Sequence, residues 1–214
     1  MNIQEMHQSF RVFAQQMGMQ LVRAILPEEI DVYLNSAINE RVREVILSNT
    51  NSNGTGKLNV NNNPTPINYV RTLYRKYELT NNEHFDSEFS LTNFDALHFV
   101  SFDVVYENDK IYGCRFIEPD RIQDTIRDFC SKPSKEYPIV TLYTRPDGDL
   151  IAQIHNDDVE VYKLIVNYIK LPNKVSYNDS VDCDLPEYTH NDVVQLACQK
   201  YFVSVGSTTQ PVNK

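Results

Sequence analysis

The spacing of apolar residues changes partway along this chain, and that change decides its fold class. Phe10, Phe13, Met17, Leu21 and Ala24 recur at intervals of three and four. Ile30, Leu34, Ile38, Val42 and Val45 do the same. Such spacing puts each set on one face of a helix. From Leu97 the texture is different: Phe99-Val100-Ser101-Phe102-Asp103-Val104-Val105-Tyr106 is β-branched and aromatic, as strands are. The first pattern predicts a helix over residues 3–25. Pro27, followed by Glu28 and Glu29, opens a second that runs to about Leu47. A short connection between two amphipathic helices predicts an antiparallel hairpin. Ile67, Val70, Leu73 and Tyr77 predict a third helix after Pro66.

The middle of the chain reads as strands. Asn108-Asp109 forms a turn, and Lys110 to Ile117 is the returning strand. Pro119-Asp120 opens a short helix bearing Ile122, Ile126 and Phe129, which ends near Ser131, ahead of Pro133. Pro138–Thr144 and Leu150–His155 form a second hairpin around Arg145-Pro146-Asp147-Gly148-Asp149, and Val159–Lys170 is a third extended piece of that group. Thr189-His190-Asn191-Asp192 reads as a capping box for a last helix, 191–205, with Val194, Ala197, Cys198, Tyr201 and Val205 on its apolar face.

Helices, then strands with one short helix, then a closing helix make an α+β chain. The expected architecture is a helical bundle, built from the N-terminal hairpin and the C-terminal helix, with an inserted antiparallel β-rich region. The divisions are residues 1–78 (helical), 79–188 (β-rich), 189–205 (closing helix) and 206–214 (a flexible tail). Residues 48–63, rich in Asn and holding Gly54 and Gly56, form a loop longer than most connections in compact domains.

Composition narrows the chemistry. The formal net charge is -9, which argues against a grip on nucleic-acid phosphates. Cys114, Cys130, Cys183 and Cys198 show no CxxC pair and no zinc spacing, so they read as reduced packing residues. The N-terminus does not read as a signal peptide, and no apolar run reaches the roughly 18 residues of a membrane span. The histidines, at 7, 84, 98, 155 and 190, form no i, i+4 pair and no HExxH. His155-Asn156-Asp157-Asp158 offers metal-ligand types but reads first as a polar loop. Asn53-Gly54-Thr55-Gly56-Lys57 lacks phosphate-loop spacing, and Asp147-Gly148-Asp149 lacks the remaining ligands of a calcium loop. Arg41, Arg43, Arg71, Arg75 and Lys76 read as solvated helix faces. No motif supports an enzyme, a metal or a cofactor.

A resemblance adds to this reading. Tyr168-Ile169-Lys170-x-Pro172, Cys183-Asp184-Leu185-Pro186-Glu187 and Val193-Val194-Gln195-Leu196-Ala197, within Tyr137–Val205, resemble the C-terminal part of neck, or head-to-tail connector, proteins of tailed phages that infect Bacteroidales, including crAss-like phages. The resemblance implies a non-enzymatic virion protein of the phage neck, made in the bacterial cytoplasm. It implies a homo-oligomeric ring, dodecameric in such proteins, that joins the portal to adjacent neck or tail ring proteins. DNA would pass through its channel without sequence-specific contact, and no membrane is involved. Two segments are then expected at partner contacts: Asn51, Asn53 and Gly54 in the polar loop, and Gly206, Pro211, Val212, Asn213 and Lys214 in the tail. Another tail-completion or capsid-associated protein, a small host-binding adaptor, and an intracellular enzyme without a recognisable motif stay open as alternatives.

Overall fold

The computed structural model describes residues 1–17, 25–50, 68–80, 87–92, 94–107 and 110–207. The chain is α+β, and it divides into two compact units. The helical unit is built from the described residues up to Leu73 and from Pro172 onward; the β unit runs from Tyr74 to Leu171.

In the helical unit, α1 spans Ile3–Gln16 and α2 spans Pro27–Thr50. The last helix, α4, spans His190–Ser207. Asn2 and Glu5 form a reciprocal capping box at the start of α1: the Asn2 side chain accepts from Glu5 N–H, and Glu5 accepts from Asn2 N–H. The first helix ends at Gln16, with Met17 N–H on the Phe13 carbonyl, and the remainder of the expected helix up to Ala24 lies outside the described residues.

Of the apolar stripes read from the sequence, Phe10 on α1, Ile30, Leu34, Ile38 and Val42 on α2, and Val194, Ala197 and Cys198 on α4 are buried; Phe13, Val45 and Tyr201 are half-buried, and Met17 and Val205 are exposed. The hairpin expectation needs adjusting, because α4 packs against both α1 and α2, while those two meet each other only slightly. Tyr201 shows how. Its ring stands edge-on to Phe10 of α1 (centroids 5.8 Å) and to Tyr33 of α2 (5.2 Å). The closing helix supplies the apolar surface that a hairpin would have found in its own partner.

Three local readings change here. Thr189 does not cap α4; its hydroxyl donates to the Pro186 carbonyl (2.7 Å) inside a 3-10 turn, Glu187–Thr189, that leads straight into the helix. That helix runs through Ser207, so Gly206 is helical rather than the start of a tail. Among the described residues, the predicted third helix does not continue past Asn68. Val70 and Leu73 are buried around a 3-10 turn at Arg71–Leu73, and Tyr74–Thr80 is a strand, β1.

The β unit holds two four-stranded sheets. One is ordered β1-β8-β3-β4, where β3 is Ala96–Val105, β4 Ile111–Gly113 and β8 Lys163–Lys170. The other is ordered β2-β7-β6-β5: β2 is Glu88–Ser90, β5 Arg115–Phe116, β6 Ile139–Thr144 and β7 Leu150–His155. The short helix α3, Ile122–Arg127, lies between β5 and β6 in sequence. Gly148, at φ +95°, lets the β6–β7 turn close as expected, with Gly148 N–H on the Arg145 carbonyl.

Pairing corrects the rest of the sequence reading. Val159–Lys170 does not extend the 138–155 hairpin; β8 lies in the other sheet, between β1 (Tyr74 opposite Ile169) and β3 (Val104 opposite Leu164). Its Leu164 and Val166 are fully buried, and a strand sunk this deep must have its backbone donors and acceptors paired along both edges. That demand makes residues 74–80 a strand despite their helix-like spacing. The returning strand 110–117 is split at Cys114, whose N–H is held by the Phe102 carbonyl; β4 stays with β3, and β5 joins β6. The β5–β6 pair is parallel, so the region is mixed, not purely antiparallel. Residues 172–188 pack with the helices, which moves both expected borders of the β-rich region.

The two sheets share one core, including Phe89, Phe102, Val104, Val140, Ile154 and Leu164. Leu164→Ala leaves a cavity at its centre. It should lower stability by about 2–5 kcal/mol, read as a shifted urea midpoint for the β unit with the far-UV helical signal less affected.

Candidate functional site

The polar chemistry of the helical unit gathers where the chain returns from the β unit. Asp31 and Asn35 stand one helical turn apart on α2, within its apolar face. Asn35 binds Val175 in both directions: its Nδ2 donates to the Val175 carbonyl (3.0 Å), and its Oδ1 accepts from Val175 N–H (2.9 Å). Asp31 accepts from Tyr177 N–H (2.9 Å) and from Nε2 of His7 on α1 (2.7 Å). His7 is buried, with the Tyr177 ring 4.8 Å from its own. These contacts turn an irregular segment into an ordered surface, because its backbone groups find partners on a rigid helix.

A second knot follows. His190, also buried, sets one ring nitrogen 3.0 Å from the Met1 carbonyl and the other 2.9 Å from the Leu185 carbonyl. Asp182 accepts from Ile3 N–H (2.7 Å), and Asp184 accepts from Asn173 N–H (3.0 Å). Tyr188 donates to the Asn68 carbonyl, with the Arg71 guanidinium 5.8 Å from its ring centre. The arrangement positions and clamps. It sets no nucleophile beside a base, and among the described residues no three His, Cys, Asp or Glu side chains gather as metal ligands would.

In the β unit, a cavity of about 780 Å³ opens beside the β7–β8 connection, lined by Lys132, His155, Asn156, Asp157, Asp158 and Glu160 among others. Asn156 is buried and donates to the Val159 carbonyl (2.6 Å), which holds the bend. Asp157 and Asp158 both adopt positive φ (65° and 59°), as Asp tolerates in tight turns. His155 lies 3.2 Å from the Thr141 hydroxyl, and burial pushes its pKa down. A structural turn accounts for this segment. On the opposite end of β7, hydrogen bonds from Tyr143 and Arg145 pull the Glu88 carboxyl below its usual range and tie β2 to β6.

Of the residues expected at partner contacts, Asn51, Asn53, Gly54, Pro211, Val212, Asn213 and Lys214 lie outside the described residues, and Gly206 is in the last turns of α4. Sequence reading missed Asp31, Asn35 and His7. Their signal was polar side chains sitting on otherwise apolar helix faces. No helix among the described residues is long and apolar enough to cross a membrane. No family model matches this chain, and no curated protein matches it in sequence.

Two outcomes test this description. Asn35→Ala removes both bonds to Val175 and leaves its amide and carbonyl unpaired. It should cost about 1–3 kcal/mol and speed hydrogen exchange at the Val175 amide. The four thiols should also differ: burial raises Cys183 to about 11, and Cys114 and Cys198 are buried, whereas Cys130 is exposed. Iodoacetamide at neutral pH should therefore alkylate Cys130 in the native chain and spare the other three until denaturant is added, as peptide mass spectrometry would read.

Proposed function

We propose that this chain is a structural subunit of a tailed-phage neck, forming a ring that connects the portal to the tail and extends the DNA channel. The observation that carries this reading is the interruption of a helical unit by a β-rich unit within one chain. We read α1, α2 and α4 as a bundle and the β unit as its side domain, as in the neck adaptors of podovirus-like phages that the chain resembles, where a helical bundle carries a β-rich side domain. Such a role needs no catalytic chemistry, and the clamped polar contacts of the helical unit suit a part that must hold its shape under load.

A ring repeats one heterologous contact, so each subunit presents two different faces to its neighbours. Exposed apolar side chains on the outer sides of the helices, Val32 on α2 and Val203 on α4 among them, are of the type such faces use. The acidic balance fits a channel that lets DNA slide: a wall that gathers few phosphate contacts holds it weakly. On this reading the ring is dodecameric, sits in the virion without a membrane, and is assembled in the bacterial cytoplasm with the portal and the next neck ring as neighbours. Residues 49–63 and 206–214 are then the segments placed to contact them.

Co-sedimentation with portal rings of the same phage, followed by particle imaging, tests the reading. The expected result is a stoichiometric collar at one end of the portal. Absence of the chain from purified virions, by peptide mass spectrometry, would overturn it.

A further inference from the structure

Two sides of the helical unit carry opposite charge. Along the outer side of α2 runs an open groove of about 760 Å³ with Val32 near one end and Leu47 near the other. Arg43, Lys174 and Lys200 line it, with Glu40 and Glu44. Lys200 is committed to Glu40 and to the Ser36 hydroxyl, and Glu44 to Arg41. Among the described residues Arg43 and Lys174 have no carboxylate partner, so the groove is locally positive on a chain whose net charge is -9.

The other side is acidic. Asp182, Asp184, Glu187 and Asp192 cluster around the 3-10 turn before α4. Glu187, its side chain 82% exposed, is paired with the N-terminal ammonium of Met1 (2.9 Å), which leaves Asp182, Asp184 and Asp192 as the carboxylates without a cationic partner among the described residues. Tyr188 stands among them, 53% exposed and braced by Tyr69 edge-on and by Arg71 over its ring. An exposed aromatic held from two directions loses little freedom on docking, which is what an interface anchor needs. This acidic side packs over Arg41 and Val42 of α2, with Leu185 and Asp192 near them. The groove residues Val32, Ser36, Arg43 and Leu47 point away, roughly 150° round the same helix at 100° per residue. The two sides therefore face in different directions.

We infer that the α2 groove of one copy receives the acidic, Tyr188-bearing side of a second copy. The contact joins unlike surfaces, so it is heterologous and repeats head to tail, as a ring requires. This deepens the connector reading and rests on it for the choice of a second copy as occupant. Charge complementarity sets the register, and Val32, Leu47 and Tyr188 supply the apolar part.

The test uses the full chain alone, by sedimentation velocity at low ionic strength over rising concentration. The natural chain should self-associate, and added salt should weaken it. Arg43→Glu with Lys174→Glu makes both sides acidic; Glu187→Lys with Asp192→Lys makes both sides basic. Each double variant should associate roughly tenfold or more weakly, by like-charge repulsion. Mixed one to one, the two should associate again, because each reversed side then meets its complement. Matching thermal unfolding of all three chains checks that folding is intact. A natural chain that stays monomeric throughout, or reversed variants that associate as well as it does, or a mixture that fails to recover, would overturn the inference. A collar on the portal formed by a chain with no such contact would leave the connector reading standing while removing this one.

Discussion

The helical unit depends on how its returning strand of chain is held. A segment without regular structure, such as Pro172–Tyr177, has backbone donors and acceptors that no helix or sheet ladder satisfies. Asn35 gives Val175 both of its bonds, and Asp31 takes the amide of Tyr177. Because Asp31 also holds His7, the same carboxylate couples α1 to α2 where the two helices have little apolar contact of their own. The return segment, the 3-10 turn at Glu187 and the start of α4 are all positioned downstream of that anchorage.

A different constraint rules the β unit. Its central strand β8 carries an apolar middle, with Leu164, Ile165, Val166 and Ile169 buried, and it takes a partner on each side. One partner, β3, is read easily from its own β-branched and aromatic run. The other, β1, is not: Tyr74-Arg75-Lys76-Tyr77-Glu78 has no alternation to speak of and is largely exposed. It is a strand because β8 has an edge to fill.

This contrast explains what could be read in advance. The three long helices were legible because each carries its own period, and a helix's hydrogen bonds are local. Strand identity was legible at β3, β6 and β7 for a similar reason, with the Arg145–Asp149 turn bringing the latter two together. Pairing was not. Residues 163–170 and 74–80 meet across most of the β unit's length, and nothing near either segment announces the other. The spacing of Val70, Leu73 and Tyr77 satisfied a helical template by coincidence: the first two pack around a 3-10 turn, and Tyr77 belongs to a strand. As for the site, Asp31 and Asn35 could have been singled out as polar residues on the Ile30–Leu34–Ile38 stripe. Their target, Val175, could not. The residues first expected at contacts fall almost wholly outside the described chain, whereas the two charged sides of the helical unit emerge only once α2 and the 182–192 segment are seen together.

The β unit also has a property that follows from its borders. Its first strand begins at Tyr74 and its last ends at Lys170, and Tyr74 lies directly opposite Ile169 in the β1–β8 ladder. The chain thus enters and leaves through neighbouring strands, with the two crossing points about 5 Å apart. An insertion whose ends already touch adds almost no loop-closure entropy to its host. It behaves as a cassette, joined to its host where two neighbouring strands end. The helical unit, sewn across that junction by Asp31 and Asn35, need not be rebuilt when its passenger changes.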